Sequence, residues 1–93
     1  MDDRKIIWLP SVRKKIVQYR SEYFTQEETL RFIVKVTLEI ENILKNPIIN
    51  VAYTEEKGEY KGVSRIVVKK FRVYFEWQDD EILVIAILFP GEK

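Results

Sequence analysis

The 93-residue sequence contains no cysteine and no histidine. Without cysteine there is no disulfide, no thiol nucleophile and no cysteine-based zinc site, which fits a protein of the reducing cytosol. Without histidine there is no serine–histidine catalysis, no imidazole acid–base chemistry and none of the commonest transition-metal ligands. Any catalysis would therefore have to use lysine, arginine, tyrosine, aspartate or glutamate, and we expect neither a metal nor a cofactor.

Glycine and proline are scarce, with three of each, and the longest apolar run, over residues 82–90, is too short for a membrane span. The first residues do not look like a signal peptide, because the apolar run behind them stops at Pro10. With 46% hydrophobic residues and a net charge of +1, the chain is not of the disordered class. We expect one soluble, cytoplasmic domain over residues 1–93.

Two apolar stripes at helical spacing predict two helices. The first helix is predicted over 11–22, with Ser11 at the position of an N-cap. Its apolar stripe consists of Val12, Ile16, Tyr19 and Tyr23. Its outer face is basic, and we expect that face to be solvated. The basic residues are Arg13, Lys14, Lys15 and Arg20.

The second helix is predicted over about 26–45. Thr25 followed by Glu28 has the spacing of a capping box, and Asn46-Pro47 is a stop signal. The helix is rich in β-branched residues, so we expect packing rather than intrinsic propensity to hold it. Its apolar stripe consists of Leu30, Ile33, Val36 or Thr37, Ile40 and Leu44.

Strand-like runs flank the two helices. They lie at 5–9, 64–69, 71–77 and 81–89, the last two joined by the turn Gln78-Asp79-Asp80. Residues 47–63 read as a long polar loop or as a loop with a short strand around 48–51. The order predicts an α+β fold: strand, helix, helix, then a three-strand antiparallel meander, with both helices packed on one antiparallel sheet.

The last two predicted strands differ in their apolar pattern. In the first of them apolar residues alternate with mixed ones, so that Arg72 and Tyr74 share one face and the apolar residues share the other. In the strand over 81–89 the residues on both alternating faces are apolar. That pattern is typical of a central strand buried on both faces, or of one whose second face is covered by a partner.

Three segments together resemble a known family. They are the opening Ile6-Ile7-Trp8-Leu9-Pro10-Ser11, the helix end at Asn46-Pro47, and the run over 62–77 that contains Phe71-Arg72-Val73-Tyr74-Phe75. In order and spacing these segments are similar to the RelE/ParE toxins of type II toxin–antitoxin systems. That family has a strand beginning with arginine, a tight turn, an aromatic-Arg-aliphatic-aromatic-aromatic strand, an acidic turn and a last apolar strand. The resemblance covers nearly the whole chain.

The resemblance implies a small toxin that is neutralised by an antitoxin from the same operon, whose tail wraps the helices and the sheet of the toxin. RelE-like members cut messenger RNA on the ribosome, whereas ParE-like members poison DNA gyrase. Whether the protein also forms a homodimer is left open by the sequence.

The resemblance also suggests candidate site residues. Arg72 matches the arginine that lies near the scissile phosphate in RNA-cutting members; the alternative is a strand arginine paired with Glu76 or a cross-strand acid. Arg65 matches the basic residue at the start of the preceding strand. Lys69 and Lys70 lie at the turn, where many relatives have glycine. The candidates for binding a target or nucleic acid are thus Arg65, Lys69, Lys70, Arg72 and Lys93.

Alternative roles exist for some of these residues. The two turn lysines fit better as protection of a hairpin edge against aggregation. The acidic run Asp79-Asp80-Glu81 fits a turn better than a metal site.

The stretch after the last strand weighs against a nuclease. RNA-cutting relatives have an arginine, histidine or tyrosine there, whereas this chain has Phe89-Pro90-Gly91-Glu92-Lys93, in which Lys93 could supply charge and Glu92 a base. The sequence therefore favours a ParE-like binding toxin. The alternatives are a RelE-like endoribonuclease that uses Arg72, Arg65 and Tyr74, or a member without toxic activity.

Overall fold

In the computed structural model, which describes residues 5–46 and 53–92, two helices pack on one face of a five-stranded sheet. The helices are α1 (Pro10–Ile16) and α2 (Gln26–Lys45). The strands are β1 (Lys5–Trp8), β2 (Tyr53–Thr54), β3 (Ser64–Val68), β4 (Phe71–Gln78) and β5 (Glu81–Leu88). Within the described residues, neither helix combines the length and the hydropathy that crossing a membrane requires.

The strands lie in the order β1-β5-β4-β3-β2. The predicted antiparallel meander of β3, β4 and β5 is confirmed. The expectation of a wholly antiparallel sheet is wrong, because β1 pairs in parallel with β5, with Lys5 beside Glu81 and Trp8 beside Val84. The alternation of apolar residues along a strand does not encode its direction relative to a neighbour that is distant in sequence.

The segment predicted as a long loop contains part of the sheet. Tyr53 and Thr54 form the edge strand β2, paired with Arg65 and Ser64 of β3. The strand suggested around 48–51 lies outside the described residues. Beyond β2 the Glu55 amide donates to the Val63 carbonyl, which continues the pairing for one more residue. Two residues form too short a strand to show a period of two, so the pattern was absent from the sequence.

Helix α2 agrees with its sequence signals. The Glu28 amide donates to the Thr25 hydroxyl at 3.1 Å, and the Thr25 amide donates to the Glu28 carboxylate at 2.8 Å, which completes the predicted capping box. Most of the predicted stripe is buried. One position differs: Leu30 is exposed, and Thr29 is buried in its place, with its hydroxyl donating to the Thr25 carbonyl at 2.8 Å. That bond satisfies the polar group of Thr29, so a threonine fits the core.

Helix α1 is shorter than predicted, ending at Ile16 rather than at residue 22. It begins at Pro10 with Leu9 as the N-cap, so Ser11 is not the cap; proline suits a first helical position, where its missing N–H needs no partner. The Arg20 guanidinium donates to two carbonyls just beyond the helix end. These bonds satisfy backbone acceptors that a continuing helix would have used. Tyr23, expected on the stripe, is exposed.

The core lies between the helices and the sheet face that carries Phe71, Val73 and Phe75 of β4. This confirms the predicted apolar face of β4 from Phe71 to Phe75, whereas Trp77, predicted on the same face, is 44% exposed. Strand β5 is central, as predicted: Ile82 and Val84 are fully buried towards the helices, whereas on its other face Ala86 is buried and Leu83 and Leu88 are half-buried. The register between β4 and β5 shifts at Tyr74/Phe75.

The turn between β3 and β4 gives a first testable prediction. Lys69 and Lys70 have φ angles of 48° and 71°. A two-residue hairpin turn with positive φ at both positions favours Asn-Gly, because a residue with a Cβ is strained there. We expect Lys70→Gly to raise the free energy of unfolding by about 1 kcal/mol, measured by urea denaturation. The exposed Lys57 does not have a positive φ, so Lys57→Gly should not stabilise; equal gains from both would contradict this account.

Candidate functional site

The sheet face turned away from the helices carries a cleft of about 580 Å³. Its floor comes from β3 and β4, where Arg65 lies opposite Tyr74 in the antiparallel register and Arg72 lies two residues further along. One wall is the segment that follows β2, which includes Glu55 and Tyr60. The cleft is completed by Lys15 of α1 and by Glu92, which follows β5.

Four of these residues form what we call the Glu55 cluster: Glu55, Tyr60, Arg65 and Tyr74. The Tyr74 hydroxyl donates to Glu55 Oε1 at 2.5 Å, and Arg65 Nη1 donates to the same oxygen at 3.0 Å. The Tyr60 ring stacks on the Tyr74 ring, with 4.5 Å between centroids. On its other side the Arg65 guanidinium lies 4.4 Å from the centre of the Tyr53 ring. The cluster therefore links β2, β3 and β4 through one carboxylate.

The hydrogen bond from Tyr74 lowers the pKa of Glu55, and the charge of Arg65 acts in the same direction. Burial raises the pKa of Tyr74, and the bond to Glu55 adds to that rise. Burial also raises the pKa of Tyr60. The pKa of the Glu55 carboxyl is thus moved further below neutral pH, and the pKa values of the two phenols are moved further above it. Glu55 is therefore ionised and Tyr74 protonated at neutral pH, which is how a structural hydrogen bond is held.

A second group, the Glu92 cluster, consists of Lys15, Arg72, Phe89 and Glu92. Lys15 Nζ lies 2.9 and 2.8 Å from the two carboxylate oxygens of Glu92, and it also donates to the Ile87 carbonyl at 2.7 Å. The Phe89 amide donates to Glu92 Oε1 at 2.9 Å. The Arg72 guanidinium donates to the Glu92 carbonyl oxygen. The bond from Lys15 lowers the pKa of Glu92, with a further contribution from the Phe89 amide.

The structure brings together three of the predicted site residues. Arg65, Arg72 and Tyr74 all line the cleft, and Tyr74 is on the predicted face with Arg72. The pairing of Arg72 with Glu76 is wrong, because Arg72 contacts the backbone of Glu92 and the Glu76 side chain is exposed.

The other candidates lie elsewhere. Lys69 and Lys70 are exposed at the β3–β4 turn, and Lys69 Nζ is 4.0 Å from a carboxylate oxygen of Glu39. Lys93 lies outside the described residues. Among residues 5–46 and 53–92, neither Asp79-Asp80-Glu81 nor any other group of three or more acidic side chains is placed to hold a metal ion.

The cleft residues that sequence reasoning missed include Lys15, Glu55 and Tyr60. Lys15 was assigned to a solvated helix face, but it lies on the edge of that face, directly before the buried Ile16. Nothing in the polar segment around Glu55 indicates a return to the sheet. Glu92 had a usable signal: Pro90-Gly91 is a turn dipeptide, and the Glu92 amide bonds back to the Phe89 carbonyl at 3.0 Å.

Three comparisons with known proteins were negative. The sequence matches no protein-family model and no curated protein, and the fold matches no solved structure. A function for this chain is therefore inferred from its own residues and their geometry, together with the resemblance to the RelE/ParE toxins.

Proposed function

We propose that this protein is a ParE-like toxin of a type II toxin–antitoxin system, which binds a macromolecular target such as DNA gyrase and is neutralised by a cognate antitoxin. Two kinds of observation support the proposal. Apart from the two-residue edge strand β2, the order of elements, a strand, two helices and a three-strand meander, is the one that the sequence resemblance implies. The residues of the resemblance in β3 and β4 also converge on one open cleft.

The burial and the hydrogen bond of Tyr74 support a binding function rather than RNA cleavage, and this part of the proposal rests on them. Cleaving RNA through its own 2′-hydroxyl needs one group to take a proton and another to give one. Tyr74 is the best candidate for either role, but it is buried beneath Tyr60 and its hydroxyl is committed to Glu55. Both partners have pKa values displaced away from neutrality. A ligand in the cleft would meet a fixed hydrogen bond instead of an exchangeable proton.

The outer face of α2 supports a protein partner. Leu30, Val34 and Leu38 follow one another at intervals of four residues and are each more than half exposed; we call this row the α2 stripe. Val34 and Leu38 line a shallow groove of about 410 Å³ together with Phe32 and the charged residues Glu28, Arg31 and Lys35. Exposed apolar rows of this kind mark binding surfaces for amphipathic segments. We assign the groove to an apolar segment of the antitoxin that carries acidic side chains facing Lys35.

The experiment that tests the proposal is controlled expression followed by two assays on the purified protein. We expect expression to slow growth, supercoiling by DNA gyrase to be inhibited, and messenger RNA on translating ribosomes to stay intact. A neighbouring short open reading frame should encode a protein that co-purifies and restores growth. Normal growth on strong expression, with no co-purifying partner, would contradict the proposal.

A RelE-like endoribonuclease is the second candidate, favoured by the convergence of Arg65, Arg72 and Lys15 on one cleft. Guanidinium and ammonium groups on one surface suit the phosphate backbone of RNA. In this case ribosome-bound messenger RNA would be cut, and the cuts would vanish in Arg72→Ala. Arg13→Ala removes an exposed arginine of α1 outside the cleft and is the matched control. Cuts lost in Arg72→Ala alone would replace the binding proposal with the nuclease.

A further inference from the structure

The Glu92 carboxylate is held by donors from separate parts of the fold. Lys15 comes from α1 and bonds both carboxylate oxygens, while the Phe89 amide bonds one of them from the end of β5. Arg72 of β4 fixes the same residue through its carbonyl oxygen. A cation, a backbone N–H and a guanidinium converging on one small space are the elements of an oxyanion site. Here a side chain of the same protein occupies it.

Glu92 has two cationic neighbours, and they contact it differently. Lys15 forms an ion pair with Glu92 at 2.8 Å, whereas within residues 5–46 and 53–92 the Arg72 guanidinium is in no ion pair. Two cations thus contact Glu92, Lys15 at the carboxylate and Arg72 at the backbone carbonyl oxygen. Among the described residues Glu92 offers these two cations one carboxylate, whereas a phosphate group carries up to two negative charges and has more acceptor oxygens for the guanidinium fork.

There is also space for a ligand. Lys15, Arg72 and Glu92 line the same cleft of about 580 Å³, which continues towards the stacked rings of Tyr60 and Tyr74. The Glu92 and Lys15 side chains are 37% and 32% exposed, so the pair is open to solvent and can be displaced without unfolding the core. The site is partly covered rather than sealed.

We infer that Lys15, Arg72 and the Phe89 amide form a phosphate-binding site that Glu92 occupies intramolecularly, so that the protein as folded is self-blocked for this ligand. A phosphate group enters by displacing the Glu92 carboxylate from Lys15 and the Phe89 amide. This inference is separate from the proposed toxin function: it concerns what the cleft binds and how that binding is restrained, and it holds or fails whatever the effect of the protein on growth.

The test is titration with inorganic phosphate at low ionic strength, followed by NMR at the Phe89 amide and by calorimetry. Glu92→Ala should bind phosphate about tenfold more tightly than the wild type, since the competing carboxylate is gone. The Phe89 amide signal should move on titration, because its acceptor changes from Glu92 to phosphate. Glu92→Gln keeps the shape of the side chain and should show the same direction of change, which covers a failure of the alanine variant to fold.

Two controls make the result decisive. Glu59→Ala removes the same charge from the same cleft at an exposed residue with no ion pair among the described residues, so it reports the effect of net charge alone. Adding Lys15→Ala to Glu92→Ala should abolish the gain. Equal tightening in Glu59→Ala, no tightening in either Glu92 variant, or a gain that survives the loss of Lys15 would overturn the inference.

Repeating the titration with a nucleotide distinguishes a site for nucleotides from a site for free phosphate. Adenosine monophosphate offers the phosphate together with a ring that can stack on Tyr60. Tighter binding of the nucleotide than of inorganic phosphate assigns the site to nucleotides. Equal binding assigns it to free phosphate, and both results support a site that Glu92 blocks.

Discussion

Ile40→Ala is expected to lower the free energy of unfolding by about 3 kcal/mol. Ile40 lies in α2 and is fully buried in the core between the helices and the sheet. Alanine at this position loses the burial of most of the side chain and leaves a cavity, and the two costs add. Because the stability of a domain is on the order of 5–15 kcal/mol, the loss is a large share of the total. The melting temperature should fall by roughly 10–20 °C, measured by thermal denaturation followed by circular dichroism.

Leu38→Ala is the matched control, two residues away on the same helix. Leu38 is 57% exposed, whereas Ile40 is 0% exposed. Both substitutions replace an aliphatic side chain by alanine, so the gain in helix propensity is of similar size in each. Leu38→Ala should change the free energy of unfolding by no more than about 0.5 kcal/mol. Comparable losses from the two variants would contradict the assignment of one face of α2 to the core and the other to solvent.

The parts of the fold that were predictable from sequence are those set by local contacts. Both ends of α2 are encoded within a few residues, by the Thr25–Glu28 capping box and by Asn46-Pro47. The β3–β4–β5 meander is equally local, because short turns leave the following strand little choice but to pair with the preceding one. In such segments the spacing of the apolar residues is enough to predict which face is buried.

The parts that were missed depend on contacts between distant residues. The stripe of α1 continues past Ile16 in the sequence, yet Tyr19 reaches the core from outside the helix, with its ring 5.2 Å from those of Phe71 and Phe89. Those two rings are contributed by β4 and the end of β5. An apolar stripe in the sequence therefore does not show where the helical backbone ends.

The candidate site was predictable only in part for the same reason. Arg65, Arg72 and Tyr74 share a face through strand alternation and hairpin register, which are local rules. Their partners are not local: Glu55 is 19 residues from Tyr74, and Glu92 is 77 residues from Lys15. No spacing rule covers such separations. The contacts that Glu55 and Glu92 make with the basic side chains of the cleft therefore could not be predicted from the sequence.

Val34→Glu is expected to weaken binding of the antitoxin by about a hundredfold or more, if the antitoxin covers the α2 stripe as we propose. Val34 is the middle residue of the stripe, so its substitution would bury an unpaired carboxylate at the centre of the interface, where the cost is greatest. In the free protein Val34 is 58% exposed, and the fold should lose little stability. The measurement is the dissociation constant for the co-purifying partner, together with the free energy of unfolding of the variant.

Val67→Glu is the control that distinguishes a loss of contact at the α2 stripe from a general effect of added negative charge. Val67 is 55% exposed, nearly the same as Val34, but its register opposite Arg72 places it on the sheet face turned away from the helices. The chemical change and the change in net charge are identical in the two variants. Val34→Glu should weaken antitoxin binding far more than Val67→Glu, since only the carboxylate at position 34 would lie in the groove that we assign to the apolar segment of the antitoxin. Equal weakening by both would mean that the antitoxin is not seated on the α2 stripe, and that the exposed row of Leu30, Val34 and Leu38 has some other role.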